Sequence, residues 1–201
     1  MTRPTIRTLV AAALVAAMAI VTSGCGSSSS VAEQYADGST KNYIGGDGTV
    51  VEIPPANRGE PISFTSTTDL GEPLDSADYD GDVMVVNFWY AACPPCRAEA
   101  PDLEALHQPY QDQGVSFIGV NVRDQASTAV AFAERFNVTY PSVIDITDSA
   151  VQLAFAGQVS PNAVPTTIVV DREGRAAARI TGRAEKSILN SLITTVLAET
   201  P

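Results

Sequence analysis

The chain has few of the residues that build metal centres and reactive sites. Its 201 residues hold three cysteines, one histidine and one tryptophan. A structural zinc site takes four Cys or His ligands. Meeting that number would need Cys25, Cys93, Cys96 and His107 in one place, so zinc is a poor reading. Cationic residues are also scarce: 12 Lys and Arg stand against 23 Asp and Glu, a net charge of −11. A balance this acidic argues against nucleic acid and anionic lipid headgroups as partners. It could steer basic unfolded polypeptides, although a soluble acidic surface is its commoner meaning. The apolar run at residues 9–21 falls short of the roughly 20 residues that a membrane-spanning helix needs. No internal repeat is present.

What is there begins with an export pattern. Arg3 and Arg7 precede the uncharged apolar run, and Thr22-Ser23-Gly24-Cys25 follows it. A basic start, a short apolar stretch and small residues describe a cleaved signal. Cys25 directly after Ser23-Gly24 resembles the lipobox of bacterial lipoproteins, where the cysteine is lipidated and becomes the new N-terminus. Thr22 departs from the Leu usual three places before that cysteine. An ordinary signal peptide cut nearby is the alternative. Residues 26–48 are rich in Ser, Gly and Asp and read as a linker. The expected organisation is therefore a signal at 1–24, a lipid-anchored linker at 25–48 and one folded domain at 49–201. An exported chain sits where disulfides persist, and setting Cys25 aside leaves a single pair, Cys93 and Cys96.

The folded part alternates strand and helix signals. Residues 49–53 and 62–65 read as extended, with turns at Gly71 and Gly81. The apolar run at 83–89 has the length and continuity of a central strand covered on both faces. Ala100, Leu103, Leu106 and Tyr110 recur at helical spacing, and Gly114 ends that helix. A strand at 115–122 and a helix through Ala129, Phe132, Ala133 and Phe136 follow. A short strand lies at 141–144, and Asp148 is placed to cap a short helix. Residues 167–170 and 176–180 predict a hairpin around Gly174. Ile188, Leu189, Leu192, Ile193, Val196 and Leu197 predict the face of a last helix. This is an α/β sheet with helices on both faces.

Cys93-Pro94-Pro95-Cys96 falls where the central strand gives way to a helix. The attacking species in disulfide exchange is the thiolate, and a free thiol with a pKa of about 8.5 supplies little of it at neutral pH. Unpaired N–H groups and the partial positive charge of a helix start stabilise that anion. Prolines fit here because the first turn loses no intrahelical bond to them. Cys93 is the expected nucleophile. Cys96, one turn further in, is the expected resolving thiol and the more buried of the two. A merely structural bridge is a weak reading, since so small a loop gains little from closure.

Val86-Asn87-Phe88-Trp89, Cys93-Pro94-Pro95-Cys96-Arg97-Ala98-Glu99-Ala100-Pro101 and Val164-Pro165-Thr166-Thr167 together resemble the TlpA/ResA-like branch of the thioredoxin superfamily. The resemblance covers about residues 50–201. It implies a thioredoxin-like fold, a central mixed β-sheet flanked by helices, with an N-terminal β extension. It also implies a cis bond before Pro165, which lies beside the disulfide. Trp89, Val164 and Pro165 are then the substrate-contacting residues. Pro101 matches a kink in the active-site helix. Asn87 stands where thioredoxin has a buried, titrating Asp, and Ala92 replaces an aromatic common in relatives. Glu99 matches a functional acid of the ResA-like proteins, one helical turn from Cys96. Its alternative is a solvent-facing charge paired with Arg97 or Arg135. His107 reads as a helix-boundary histidine.

The resemblance implies a membrane-tethered thiol–disulfide oxidoreductase on the extracytoplasmic face of the bacterial cell membrane, with no cofactor and no metal. Its expected partners are disulfide-containing proteins, with apocytochrome c as the candidate substrate, and a membrane thiol carrier as electron donor. A disulfide oxidase on the same fold is the alternative direction. A copper-chaperone-like binding protein would want a histidine late in the chain, which His107 is not. A peroxidase of the peroxiredoxin type would want Thr-x-x-Cys, where this chain has Tyr90-Ala91-Ala92-Cys93.

Overall fold

The computed structural model describes residues 49–158 and 163–199. The expected signal, the lipidation site at Cys25 and the linker all lie outside these residues. Among the described residues no helix is long and apolar enough to cross a membrane.

Chain order runs β1 (Thr49–Glu52), β2 (Thr65–Thr67), β3 (Pro73–Asp75), β4 (Val83–Trp89), α1 (Pro94–Tyr110), β5 (Val115–Asn121), α2 (Ala126–Phe136), β6 (Ser142–Ile144), α3 (Ala150–Ala154), β7 (Thr166–Val170), β8 (Ala176–Thr181) and α4 (Lys186–Leu197). Six strands form one sheet in the order β1-β8-β7-β4-β5-β6, and β2 pairs with β3 separately. The sheet is mixed: β4, β5 and β6 run parallel, while β7 and β8 return antiparallel. The expected N-terminal extension is β1, paired along the β8 edge from Thr49 opposite Thr181.

All seven residues of β4 are buried, which is why that strand reads as an unbroken apolar run. Period-two alternation splits it between two cores. Val83 and Val85 join Leu103 and Leu106 of α1 and Leu189 and Ile193 of α4 on one face. Met84, Val86 and Phe88 join Ile118, Val143, Val151 and Phe155 on the other. The same parity sends Asn87 and Trp89 to the α1 face, at the end of the sheet where Cys93 follows. Helix α2 packs there too, with Phe132 stacked 4.3 Å from the Trp89 ring.

Several local expectations shift. The extended segment at 62–65 is not a ladder strand until Thr65. Phe64 is instead fixed by Ser76, whose Oγ accepts its N–H at 3.0 Å and whose N–H donates back to its carbonyl. β3 carries no sequence signal, being three residues with one buried side chain. The main cap of α3 is Asp145, which accepts the N–H groups of Val151 and Gln152 at 2.9 and 3.0 Å. Asp148 holds only Ala150 N–H, at 3.1 Å. α1 ends at Tyr110, a turn before Gly114. Ile188 lies outside the buried stripe of α4.

Candidate active site

Cys93 and Cys96 are joined by a disulfide, with their Cα atoms 5.3 Å apart. Cys93 is the N-cap of α1, and Pro94 and Pro95 occupy its first turn. Its Sγ accepts the Cys96 N–H at 3.2 Å, so the sulfur takes up one of the orphan donors of the helix start. The expected difference in burial does not hold. Cys93 is 0% and Cys96 2% exposed. Both belong to a cluster with Trp89, Tyr90, Ala100, Ala129, Phe132 and Val164, which seats the helix start under side chains from three other segments. In this oxidised state an incoming thiolate reaches the bond only when a covering side chain moves.

Two loops hold the redox turn. Asp124 Oδ2 accepts the Ala91 N–H at 2.6 Å and an amide N–H of Asn121 at 2.9 Å. Asn121 Oδ1 accepts in turn from the backbone of Arg123 and Asp124. This clamp went unseen in the sequence, where its only trace is an Asn-x-x-Asp step after β5. On the other side the Val164–Pro165 bond is cis, and Pro165 carbonyl accepts the Gly182 N–H at 2.8 Å. Val164 is 4% exposed and packs in the cluster that holds both cysteines. Trp89, also expected to face substrate, is buried, and an added Cβ at Gly119 would sit 2.9 Å from its indole nitrogen.

Glu99 is not a surface charge. It is 1% exposed and reaches neither Arg97 nor Arg135. Oε1 accepts from the Asn87 amide at 2.9 Å, and Oε2 accepts the Ala184 N–H at 2.8 Å. The Asn87 amide also donates to Thr167 Oγ1 at 3.0 Å. Burial pushes the Glu99 carboxyl up to about 8, against the pull of the Ala184 and Asn87 donors and the nearby Arg183 charge. Asn87 cannot titrate, but it binds the group that can. The carboxyl lies one helical turn from Cys96, and residues three apart on a helix are neighbours.

His107 lies near the C-terminal end of α1, about 16 Å of axial rise beyond Cys96. Its ring packs edge-on against Phe117 and Tyr140, at 5.4 and 5.5 Å, and burial pushes its pKa down. It is the helix-boundary residue that the sequence implied. No group of three or more His, Cys, Asp or Glu among the described residues is placed to hold a metal ion.

A mixed sheet flanked by helices, with a Cys-x-x-Cys pair at a helix start and a cis Val164–Pro165 bond whose Val164 packs beside the pair, defines a thioredoxin-like protein. The Redoxin family model matches residues 54–193, and the chain belongs to that family. It is 40% identical over 109 residues to the thiol-disulfide oxidoreductase ResA of Geobacillus thermodenitrificans, a match covering 54% of this chain and 60% of that relative's length. It is 33% identical to the thiol:disulfide interchange protein HelX of Rhodobacter capsulatus, covering 73% of this chain and 76% of HelX. Among solved structures, a secreted thiol-disulfide isomerase from Corynebacterium glutamicum superposes with a TM-score of 0.67 at 26% identity, covering 78% of this chain and 96% of that one.

Proposed function

We propose that this protein is an extracytoplasmic thiol–disulfide oxidoreductase that works through Cys93 and Cys96. The observation that carries the reading is the Cys93–Cys96 disulfide at the start of α1, with a buried carboxyl one turn behind it. In the reducing direction the Cys93 thiolate attacks a substrate disulfide. One substrate sulfur leaves as a thiolate, and a mixed disulfide forms. The Cys96 thiolate then attacks Cys93 Sγ, closing the internal disulfide and releasing the second substrate thiolate. Two electrons pass to the substrate, and a thiol carrier returns them. Glu99 takes the Cys96 proton as that thiol becomes a nucleophile. With a pKa of about 8 the carboxyl is ionised in a fraction of molecules near neutral pH, and that ionised form is the base. Val164 and Pro165 line the path of the substrate strand, and Trp89 forms the floor beneath it.

The finer reading is a lipid-anchored reductant serving cytochrome c maturation, with Cys25 as the anchor and apocytochrome c as substrate. The likeness to ResA and HelX, and the export pattern before Cys25, support it. Equilibrating the soluble domain with glutathione buffers tests the direction. A reductant gives a potential below about −230 mV, and an oxidase gives one near −120 mV. Cys25→Ser tests the anchor: the variant leaves the membrane fraction if the reading is right, and stays there if it is wrong.

A further inference from the structure

The described arginines fall into two groups. Five donate at least one hydrogen bond or ion pair to oxygen. Arg58, Arg175 and Arg183 bind Asp171, Glu173, Glu199 or Asp102, while Arg172 and Arg179 donate to backbone carbonyls. The other three, Arg97, Arg123 and Arg135, make no ion pair among the described residues. They lie on aromatic faces instead. Arg123 sits 4.5 Å from the centroid of Tyr90, and Arg97 and Arg135 lie 5.3 and 5.8 Å from that of Phe136.

Arg97 and Arg123 border the redox turn, and Arg135 adjoins it through Phe136. Arg97 follows Cys96 directly, and its Nη1 donates to Ala91 carbonyl at 3.3 Å. Arg123 belongs to the loop whose neighbour Asp124 clamps Ala91. Phe136 packs against the cluster holding both cysteines and stacks 4.5 Å from Phe132, which itself stacks on Trp89. The Asp124 carboxylate points at Ala91 and Asn121, so its bonds are spent on holding the loop and not on Arg123.

A guanidinium held by a ring face is oriented without spending its in-plane N–H fork, and only Arg97 commits part of its own, one Nη1 bond to Ala91. That fork is the group that matches a carboxylate bidentately. On a chain of net charge −11, three guanidiniums against the adjoining Asp124 and Glu134 carboxylates leave a local excess of positive charge near the redox turn.

We propose that Arg97, Arg123 and Arg135 form a docking rim for an acidic polypeptide segment, with its carboxylates flanking the cysteines that exchange with Cys93. The proposal rests on the exchange reading above and specifies its substrate class. Charge complementarity names the occupant: an acidic segment meets the rim, whereas a basic one is repelled at the site despite the overall charge of the chain. The contacts act at encounter, so they govern association rate and salt dependence.

The test uses the reduced protein and two peptides with the same Cys-Gly-Gly-Cys disulfide, one flanked by glutamates and one by lysines. Thiol trapping gives the second-order reduction rate for each, in low salt and in about 0.5 M NaCl. The acidic peptide is expected to react about tenfold faster at low salt, with the ratio closing as salt rises. Arg123→Gln alone should lower the ratio, and Arg97→Gln, Arg123→Gln and Arg135→Gln together should bring it near one. Taking the ratio within each protein cancels any change in the disulfide's own reactivity. A ratio unchanged by the substitutions, or a wild type that prefers the basic peptide, overturns the proposal. So does loss of self-association in the triple variant with no change in ratio, which would make the rim a contact between copies. A wild type that reduces neither peptide overturns the exchange reading itself, a result distinct from all of these.

Discussion

Strand β7 separates two buried carboxyls with opposite fates. Asp171 follows its last residue and is 2% exposed; Glu99, 1% exposed, packs near its first residues through Asn87 and Thr167. Burial raises both. Around Asp171 the Arg175 backbone N–H and the Arg58 and Arg175 guanidiniums outweigh that cost and hold the carboxyl below its usual range. Around Glu99 two neutral donors and the more distant Arg183 charge do not, and its pKa climbs to about 8. Both side chains are nearly inaccessible, but Glu99 lies deeper in the core, while Asp171 has two guanidiniums in contact. Depth and charged partners together give a fixed anion at one end of the strand and a movable proton at the other. Arg58 joins Asp171 to Glu199 and to the Ile53 carbonyl, so this end ties β1's exit, the β7–β8 turn and the C-terminal tail together. At the redox end no arginine contacts the Glu99 carboxylate, and Arg97, Arg123 and Arg135 make no ion pair among the described residues.

Breaking the paired end should have the largest effect. Asp171→Ala leaves the buried Arg58 with only Glu199 and the Ile53 carbonyl, at an expected cost of about 3–5 kcal/mol in urea unfolding. A loss under about 1 kcal/mol would mean that the network is ornamental. In the wild type, the Asp171 contribution is present above the unfolded carboxyl pKa and fades as pH falls through its lowered folded value.

The other end has the opposite sign. Glu99 keeps its proton in the folded state up to about pH 8, while the unfolded chain loses it near 4.5. Between those values the unfolded state binds fewer protons, so stability falls as pH rises. Glu99→Gln should remove this slope and be more stable than wild type at pH 9, by on the order of a few kcal/mol. It should also slow exchange about a hundredfold where Cys96 must deprotonate. Denaturation at pH 5 and pH 9, with stopped-flow reduction, reads both. A Gln variant with an undiminished pH slope would assign that slope elsewhere.

A smaller effect is expected at Gly119. A methyl there meets Ser142 Oγ and lies 2.9 Å from the Trp89 indole nitrogen. Gly119→Ala should cost about 1–3 kcal/mol and shift the emission of the single tryptophan. Unchanged emission would mean that β5 yields and leaves Trp89 undisturbed.

How much of this was legible in the sequence depends on range. β4 was read to the residue, because burial on both faces leaves an unbroken apolar run. The helix start at Cys93 and the proline at 165 were legible as motifs. Contacts between distant segments were not. Glu99 could be placed one turn from Cys96, but its buried state depends on Ala184, 85 residues away. Its solvent-exposed alternative could be dismissed only once that contact was known. The basic rim was hidden for the same reason. Composition reports a net negative chain, whereas the local sign depends on which rings the arginines lie over. The equal burial of the two cysteines depends on Val164 and Tyr90, which no helical spacing reveals. β2 and β3 are too short for a period to show, and the Asp145 cap reaches across six residues to Val151.

The central claim is that Cys93 and Cys96 exchange with a protein disulfide in that order. The most direct measurement mixes reduced Cys96→Ser protein with a disulfide-bonded protein substrate and identifies the covalent product by mass spectrometry. The account predicts a mixed disulfide through Cys93 that persists because no second thiol resolves it. Absence of that adduct, or its accumulation through Cys96 in the Cys93→Ser protein instead, would contradict the account.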